Sequence, residues 1–285
     1  MMRVPVRLIV LDMDGTLLDP ESRLTERTAA ALRLAGEKGA GVVLASGRMP
    51  CALRSFVREL NITAPLIAYN GALIADSRTE ETLASLPIEA ALGREIAAAC
   101  EEMALHIQAY RGDAVCCERT NAFARDYQAF LDCPVRLEFV GRKLSDWLDF
   151  DTPKLLAIDT PERVRALLPV LRERFAGRVK IATSQPRFIE FVSPAAGKAA
   201  ALRQLSGLLG ITREDVMAFG DGLNDLDMIE WAGTGCAMAN GAPEVKAQAD
   251  LIAPSNAEDG VAQVVERLIR DEQIAGVREA WLTRR

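Results

Sequence analysis

The sequence predicts an α/β fold in which a doubly wound, mostly parallel sheet carries an inserted α+β domain. Near both ends of the chain, short apolar segments alternate with helix-like segments. Such apolar segments are typical of strands buried on both faces of a parallel sheet. In the middle of the chain, two longer helical patterns are interleaved with β-like segments whose connections suit an antiparallel sheet.

The N-terminal part predicts a strand, a polar loop and a helix, followed by further strands. Residues 6–11 (VRLIVL) form the first predicted strand. Thr25 is expected to cap an Ala/Leu-rich helix that closes at Gly39, because threonine accepts from the first-turn N–H groups and glycine commonly follows the last turn. The chain then predicts a strand over 42–45, a helix over 51–60 and a strand over 66–69.

The same alternation returns near the C-terminus. It predicts helices over 198–209, 225–231 and 258–269, and strands over 216–220, 235–238 and 251–253. Between the two parts, helical patterns cover 93–106 and 160–175, and β-like segments cover 114–119, 135–140, 154–159 and 178–183. We therefore predict a Rossmann-like core formed by residues 1–82 and 189–285, and an inserted α+β domain over 83–188.

Composition and charge exclude several classes of partner. The chain has 285 residues and a net charge of −6, with scattered Lys and Arg, so no basic footprint for nucleic acid is present. No window approaches roughly 18 uninterrupted apolar residues, which excludes a membrane span. The N-terminus does not resemble a signal peptide. The six cysteines lack zinc-type pairing, so we expect reduced thiols and a cytoplasmic location. We also expect a monomer or weak homodimer.

Four of the predicted strands end in a polar residue that is out of place in a core. These residues are Asp12, Ser46, Asn70 and Asp221. In open α/β sheets, ligands bind in the crevice beyond the carboxyl ends of the strands. If the four strands are parallel neighbours, all four side chains face one crevice.

Two acidic pairs in these loops suggest a cation site. Asp12 and Asp14, separated by one residue and followed by Gly15, can both point toward one Mg²⁺ ion, which prefers oxygen ligands. A carboxylate there can also attack phosphorus. Asp221 and Asp225 lie close across a second turn. Each pair alone is also compatible with an ordinary Asp-Gly turn or an acidic helix start.

Two further elements suit a phosphate group. Ser46, Gly47 and Arg48 supply a hydroxyl and backbone N–H groups near a helix N-terminus. Lys198 begins a helix and can neutralise phosphoryl oxygens as a point charge. Taken separately, each is more commonly a solvated surface residue.

Taken together, these motifs resemble those of the haloacid dehalogenase (HAD) superfamily of phosphohydrolases. The motifs are DMDGT at 12–16, SGR at 46–48, Lys198 and GDGLND at 220–225, in this order. The segments 69–72 (YNGA) and 237–241 (AMANG) are similar to the Cof-type, sugar-phosphatase-like branch. The resemblance covers residues 6 to about 75 and about 190 to 265. Ala199 departs from it, since members commonly carry glycine after the lysine.

The resemblance implies a role for each matching residue. Asp12 would be the nucleophile, and Asp14 the general acid and then the base that activates water. Mg²⁺ would be held by the Asp12 carboxylate, the Asp14 backbone carbonyl and Asp221, with Asp225 supporting the site. The expected phosphate and substrate contacts are Ser46, Gly47, Lys198 and Asn224, with Arg48 and Asn70 as further candidates.

The implied activity is that of a Mg²⁺-dependent phosphatase. It would hydrolyse small-molecule phosphate monoesters, such as sugar phosphates, through an aspartyl-phosphate, while the inserted domain acts as a cap that selects the substrate. A phosphotransferase such as a sugar phosphomutase on the same core stays open. A receiver-like phospho-acceptor module is a third alternative, against which Asp14 and the large insertion argue.

Overall fold

The computed structural model describes residues 5–131 and 135–277, which form two compact units. The first unit contains the described chain up to Ser46, Leu53–Leu83 and the described chain from Gly197 onward. The second contains Gly47–Ala52 and Ala84–Ala196. Relative to the division predicted from the sequence, the second unit therefore extends past residue 188 and also takes in a short segment that follows Ser46.

Fourteen strands occur among the described residues. They are β1 (Leu8–Leu11), β2 (Gly41–Leu44), β3 (Leu66–Ala68), β4 (Leu73–Ala75), β5 (Thr82–Ser85), β6 (His106–Arg111), β7 (Ala114–Cys117), β8 (Arg136–Phe139), β9 (Leu155–Ile158), β10 (Lys180–Ala182), β11 (Phe188–Val192), β12 (Val216–Gly220), β13 (Thr234–Met238) and β14 (Leu251–Ala253).

The same part of the chain contains ten α-helices. They are α1 (Glu26–Glu37), α2 (Arg54–Glu59), α3 (Ala90–Glu102), α4 (Ala122–Leu131), α5 (Leu144–Trp147), α6 (Pro161–Arg174), α7 (Lys198–Leu209), α8 (Leu226–Trp231), α9 (Pro243–Gln248) and α10 (Gly260–Arg270). None of the described helices combines the length and the apolar character that crossing a bilayer requires.

A five-stranded parallel sheet organises the first unit. Its order is β14-β13-β12-β1-β2, and every pairing in it is parallel. The fully buried strand β1 (LIVL) lies between β2 and β12. The chain thus winds outward from β1 in both directions, which is the doubly wound arrangement predicted from the sequence. The topological switch beside β1 is where such sheets bind ligands.

Strand β3 differs from the prediction. It joins β2 only through a single parallel bridge, Ala45 to Ile67, and then pairs antiparallel with β4. Strands β3, β4 and β5 form a separate small sheet. The sequence shows an apolar segment ending in a polar residue, but a reversal within three residues, over Tyr69–Gly71, was not predicted.

Helix ends in the first unit follow the expected chemistry. The Thr25 hydroxyl accepts from the Thr28 backbone N–H at 3.2 Å and caps α1, as predicted. Gly39, with φ +97°, lies just beyond the end of α1. The final helix begins at Gly260 rather than at residue 258, because Ser255 and Glu258 cap a preceding 3-10 turn. Helix α9 was not predicted.

The second unit is built on a six-stranded sheet of order β10-β11-β9-β6-β7-β8. Its pairings are antiparallel except that of β7 with β8. Helices α3 and α6 contribute buried residues to one apolar cluster with this sheet, which includes Ile96 and Val164. An α+β insertion was predicted, whereas β6, α4 and β11 were not. The helical pattern extended to His106, but α3 ends at Glu102 and Ala104 has φ +55°.

The cysteines among the described residues are buried. They are Cys51, Cys100, Cys116, Cys117 and Cys236. Burial raises the pKa of the Cys100 thiol to about 12, so this thiol stays protonated and packs as a small apolar group. Cys133 lies outside the described residues.

Candidate active site

Three carboxylates meet beyond the carboxyl ends of β1 and β12. Leu11 is in register with Phe219, so Asp12 and Asp221 leave two neighbouring parallel strands at nearly the same level. Asp225 follows in the same loop as Asp221. Carboxylate oxygens of Asp12, Asp221 and Asp225 all lie within 4.8 Å of one another. The sheet topology alone therefore brings together acidic groups that are about two hundred residues apart in sequence.

The turn after Asp12 fits closely against Asp221. Gly15 has φ +88°, and a Cβ atom at this position would lie 2.4 Å from Asp221 Oδ2. The Thr16 hydroxyl donates a hydrogen bond to Asp221 Oδ1 at 2.9 Å. Asn240 Nδ2 donates to the Gly15 carbonyl at 2.8 Å. Only glycine satisfies both the left-handed backbone and the close approach of the carboxylate.

Replacing Gly15 by alanine is expected to disturb the candidate cation site more than the stability of the fold. The new methyl group must displace Asp221, so we expect the Mg²⁺ concentration for half-maximal activity to rise by at least about 10-fold, since disturbing the groups around a metal typically costs about 10- to 100-fold in metal affinity. The control is Gly177→Ala, which has φ +73° but open space around the added atom. Equal Mg²⁺ dependence of the two variants would contradict the interpretation.

Lys198 is the buried cation of the cluster. It is the first residue of α7, and only 1% of it is exposed. Its ammonium donates to Asp12 Oδ1 and to Asp225 Oδ1, each at 2.5 Å. Burial alone would lower the pKa of Lys198, but the two carboxylates raise it above its usual range. The lysine therefore stays charged inside the site.

The cluster has an excess of negative charge. Burial raises the pKa of Asp12 well above its ordinary value, and the nearby Asp225 carboxylate raises it further despite the opposing effect of Lys198. Burial and Asp225 likewise raise the pKa of Asp221 to about 6. Three carboxylates face one ammonium group, and the imbalance favours binding of a further cation. An all-oxygen, carboxylate-rich donor set fits a hard divalent ion such as Mg²⁺.

Asp225 organises the cluster through both of its oxygens. Oδ2 accepts from the backbone N–H groups of Asp221 at 3.0 Å and of Gly222 at 2.9 Å. Oδ1 accepts from Lys198. With donors on both oxygens, Asp225 fixes the loop that carries Asp221 and orients the lysine. This geometry favours a supporting role over direct ligation of a cation.

The other residues singled out in the sequence fall into two groups. Ser46 is buried, and its carbonyl accepts from the Asn70 backbone N–H at 2.9 Å. The Asn70 side-chain oxygen accepts from Asn224 Nδ2 at 3.3 Å. Gly47 and Arg48 instead belong to the second unit, where the Gly47 carbonyl accepts from Lys154 at 3.0 Å.

The turn after β1 contains Asp14, and it is held by two residues that were not predicted from the sequence, Thr16 and Asn240. Asp14 is half-buried in an extended conformation, with φ −82° and ψ 115°. Thr16 and Asn240 were given no role from the sequence, yet they hydrogen bond to Asp221 and to the Gly15 carbonyl. Thr16 lies in the DMDGT motif and Asn240 in the AMANG segment. Their position within these motifs is the only sequence feature that points to a role in the site.

Comparison with known proteins identifies the family. A family model described as haloacid dehalogenase-like hydrolase matches residues 9–265. The chain belongs to this family. The hydrolase is 33% identical over 270 residues to the 5-amino-6-(5-phospho-D-ribitylamino)uracil phosphatase YcsE of Bacillus subtilis (strain 168), covering 93% of this chain and 97% of the relative.

Solved structures of the family agree with this assignment. A haloacid dehalogenase-like hydrolase from Bacteroides thetaiotaomicron superposes with a TM-score of 0.83 at 31% identity, covering 92% of this chain and 99% of that one. The HAD subclass IIB sugar phosphatase BT4131 superposes with a TM-score of 0.77 at 25% identity, covering 92% and 98%. The predicted family, fold class and enzyme class are thereby confirmed: the hydrolase is a HAD-type phosphatase.

Proposed function

We propose that the hydrolase is a Mg²⁺-dependent phosphatase that cleaves phosphate monoesters of small metabolites through an aspartyl-phosphate on Asp12. The observation that supports this most directly is the buried cluster of Asp12, Asp221 and Asp225 around the charged Lys198. In the proposal, the Asp12 carboxylate, the Asp14 backbone carbonyl and Asp221 hold Mg²⁺. The bound ion would neutralise charge on the transferring phosphoryl group.

The first proposed step transfers the phosphoryl group to Asp12. A carboxylate oxygen of Asp12 forms a bond to phosphorus while the bond from phosphorus to the ester oxygen breaks. The Asp14 carboxyl group donates its proton to the departing alkoxide. Lys198 and the Ser46 hydroxyl bind phosphoryl oxygens. Because the fold already holds both groups in place, no free energy is needed to reorient them during the reaction.

The second proposed step returns the enzyme to its starting state. Asp14, now a carboxylate, removes a proton from a water molecule. The water oxygen forms a bond to phosphorus, and the bond from phosphorus to Asp12 breaks, releasing inorganic phosphate. One carboxyl group thus serves as acid and then as base. The second aspartate separates a phosphatase from a receiver-like module that only holds its phosphate.

The proposed substrates are sugar phosphates and related metabolite esters. The relative YcsE is named for a phosphate ester with a ribityl chain, and BT4131 is described as a sugar phosphatase. We assign substrate selection to the inserted α+β domain, and we propose Gly47, Arg48 and Asn70 as phosphate or substrate contacts. The net charge of −6 gives no attraction for nucleic acid. We propose that the enzyme acts in the cytoplasm as a monomer or weak homodimer.

A panel of phosphorylated metabolites tests the proposal. We expect release of inorganic phosphate from at least one sugar phosphate in the presence of Mg²⁺, and loss of activity when EDTA removes the ion. Restoring Mg²⁺ should restore the activity. Product analysis separates the alternatives, because a phosphomutase returns the phosphoryl group to a sugar and releases no phosphate. Activity that persists after thorough chelation would contradict the metal requirement.

A further inference from the structure

The turn between β3 and β4 adopts an unusual backbone conformation. Three successive residues have positive φ: Tyr69 at 51°, Asn70 at 53° and Gly71 at 90°. Glycine and asparagine tolerate this region, whereas a bulky aromatic residue is rare there. Tyr69 is nevertheless buried, with 1% of its surface exposed. Surrounding structure must hold such a turn in place, and strained turns of this kind cluster at functional sites.

The turn connects two loops that carry proposed phosphate contacts. The Asn70 backbone N–H donates to the Ser46 carbonyl at 2.9 Å, which ties the turn to the loop after β2. Its side-chain oxygen accepts from Asn224 at 3.3 Å, which ties the same turn to the loop after β12. The left-handed conformation of Asn70 lets one residue contact both loops.

Gly71 brings a third element to the same turn. A Cβ atom on Gly71 would lie 2.1 Å from the Gly197 carbonyl oxygen and 2.9 Å from the Lys198 backbone nitrogen. The Gly197 carbonyl accepts from the Ala201 N–H at 3.0 Å, the first hydrogen bond of α7. Any side chain at position 71 must therefore push away the start of the helix that carries Lys198.

We propose that Gly71 is a positioning residue that sets the location of the Lys198 ammonium group. The bare backbone of Gly71 allows the first turn of α7 to approach the strained turn. The approach places Lys198 between Asp12 and Asp225, while Asn70 aligns Ser46 and Asn224 with it. The inference rests on the proposed phosphatase function, and it assigns the turn over Tyr69–Gly71 the task of assembling the groups that receive the phosphoryl moiety.

The test compares two glycine variants. Gly71 contacts the start of α7 from the turn between β3 and β4, and Gly210 follows the end of α7. Gly71→Ala adds a methyl group in the left-handed region and against Gly197. Gly210→Ala adds the same methyl at φ +65°, just after the end of α7, where nothing lies within 4 Å. Both variants lose the backbone freedom of glycine. Only the first moves Lys198, so the difference between them isolates the close approach.

The inhibition constant for orthovanadate is a measurement that partial unfolding of the protein does not change. Vanadate mimics the phosphoryl group in transfer, and a fraction of unfolded molecules lowers the apparent kcat without changing the inhibition constant. For Gly71→Ala we expect kcat to fall and the vanadate inhibition constant to rise by about 10- to 100-fold, since small displacements of a catalytic group have effects of this size. For Gly210→Ala we expect an unchanged inhibition constant.

A second variant keeps the inference testable if Gly71→Ala does not fold. Asn70→Gly retains the left-handed backbone and removes the side-chain contact to Asn224, so we expect a folded protein with weaker vanadate inhibition. An unchanged inhibition constant in folded Gly71→Ala or, if that variant does not fold, in Asn70→Gly would overturn the positioning role of the turn over Tyr69–Gly71. A wild-type enzyme that neither hydrolyses phosphate esters nor responds to vanadate would instead refute the proposed function, so the two failures are distinguishable.

Discussion

Replacing Asp12 by asparagine is expected to reduce phosphate ester turnover by at least about 10⁴-fold, because the amide cannot form the proposed aspartyl-phosphate. The loss should appear in kcat and persist at saturating Mg²⁺. Asparagine matches the volume of aspartate and can accept the hydrogen bond that Lys198 donates to Asp12. We therefore expect a melting temperature in EDTA close to that of the wild type. Release of inorganic phosphate and thermal unfolding measure the two effects.

The matched control is Asp113→Asn, since Asp113 lies on the surface with 70% of its side chain exposed. It should behave as the wild type does in both measurements. A direct test of the covalent step is mass spectrometry after rapid quenching, which should detect a phosphoryl adduct on Asp12 in the wild type. Substantial activity of Asp12→Asn would rule out this residue as the nucleophile.

Some elements of the first unit have the bounds that the sequence predicted. Strands β12 and β14 and helix α7 have the predicted bounds. The interior of a parallel sheet demands uninterrupted apolar residues, and β12 is buried at every position. In the second unit, one face of the sheet packs on helices, and polar residues such as Gln108 and Glu190 are nevertheless buried. The pattern of apolar residues is therefore a weaker predictor of strands in the second unit.

Some features of the candidate site can be predicted from the sequence, and others require the tertiary structure. The positions of Asp12 and Asp221 follow from strand ends and parallel order, two properties that are readable in the sequence. The fit of Gly15 against Asp221 and of Gly71 against Gly197 is a matter of distances between segments far apart in the chain. A glycine in a loop predicts a turn, but it does not predict which backbone or side chain approaches it. Such contacts require the tertiary structure.

Replacing Lys198 by methionine is expected to destabilise the hydrolase as well as inactivate it. Methionine is similar in length but leaves the buried Asp12 and Asp225 without their ammonium partner. Removing one partner of a buried ion pair typically costs about 3–5 kcal/mol. We expect a loss of this size in the free energy of unfolding measured in EDTA. We also expect phosphate ester turnover to fall by about 10³-fold or more, because a preorganised charge contact is lost.

The dependence of this variant on Mg²⁺ separates a charge effect from a packing effect. In the proposed site, a divalent ion bound to Asp12 and Asp221 would replace part of the missing positive charge, so Mg²⁺ should recover more stability in Lys198→Met than in the wild type. A packing defect alone would leave the increment from Mg²⁺ the same in both proteins. The control Lys143→Met removes an exposed lysine of the second unit and should change neither stability nor turnover. If Lys198→Met were as stable as the wild type in EDTA, then Lys198 would not be the counter-charge of the carboxylate cluster.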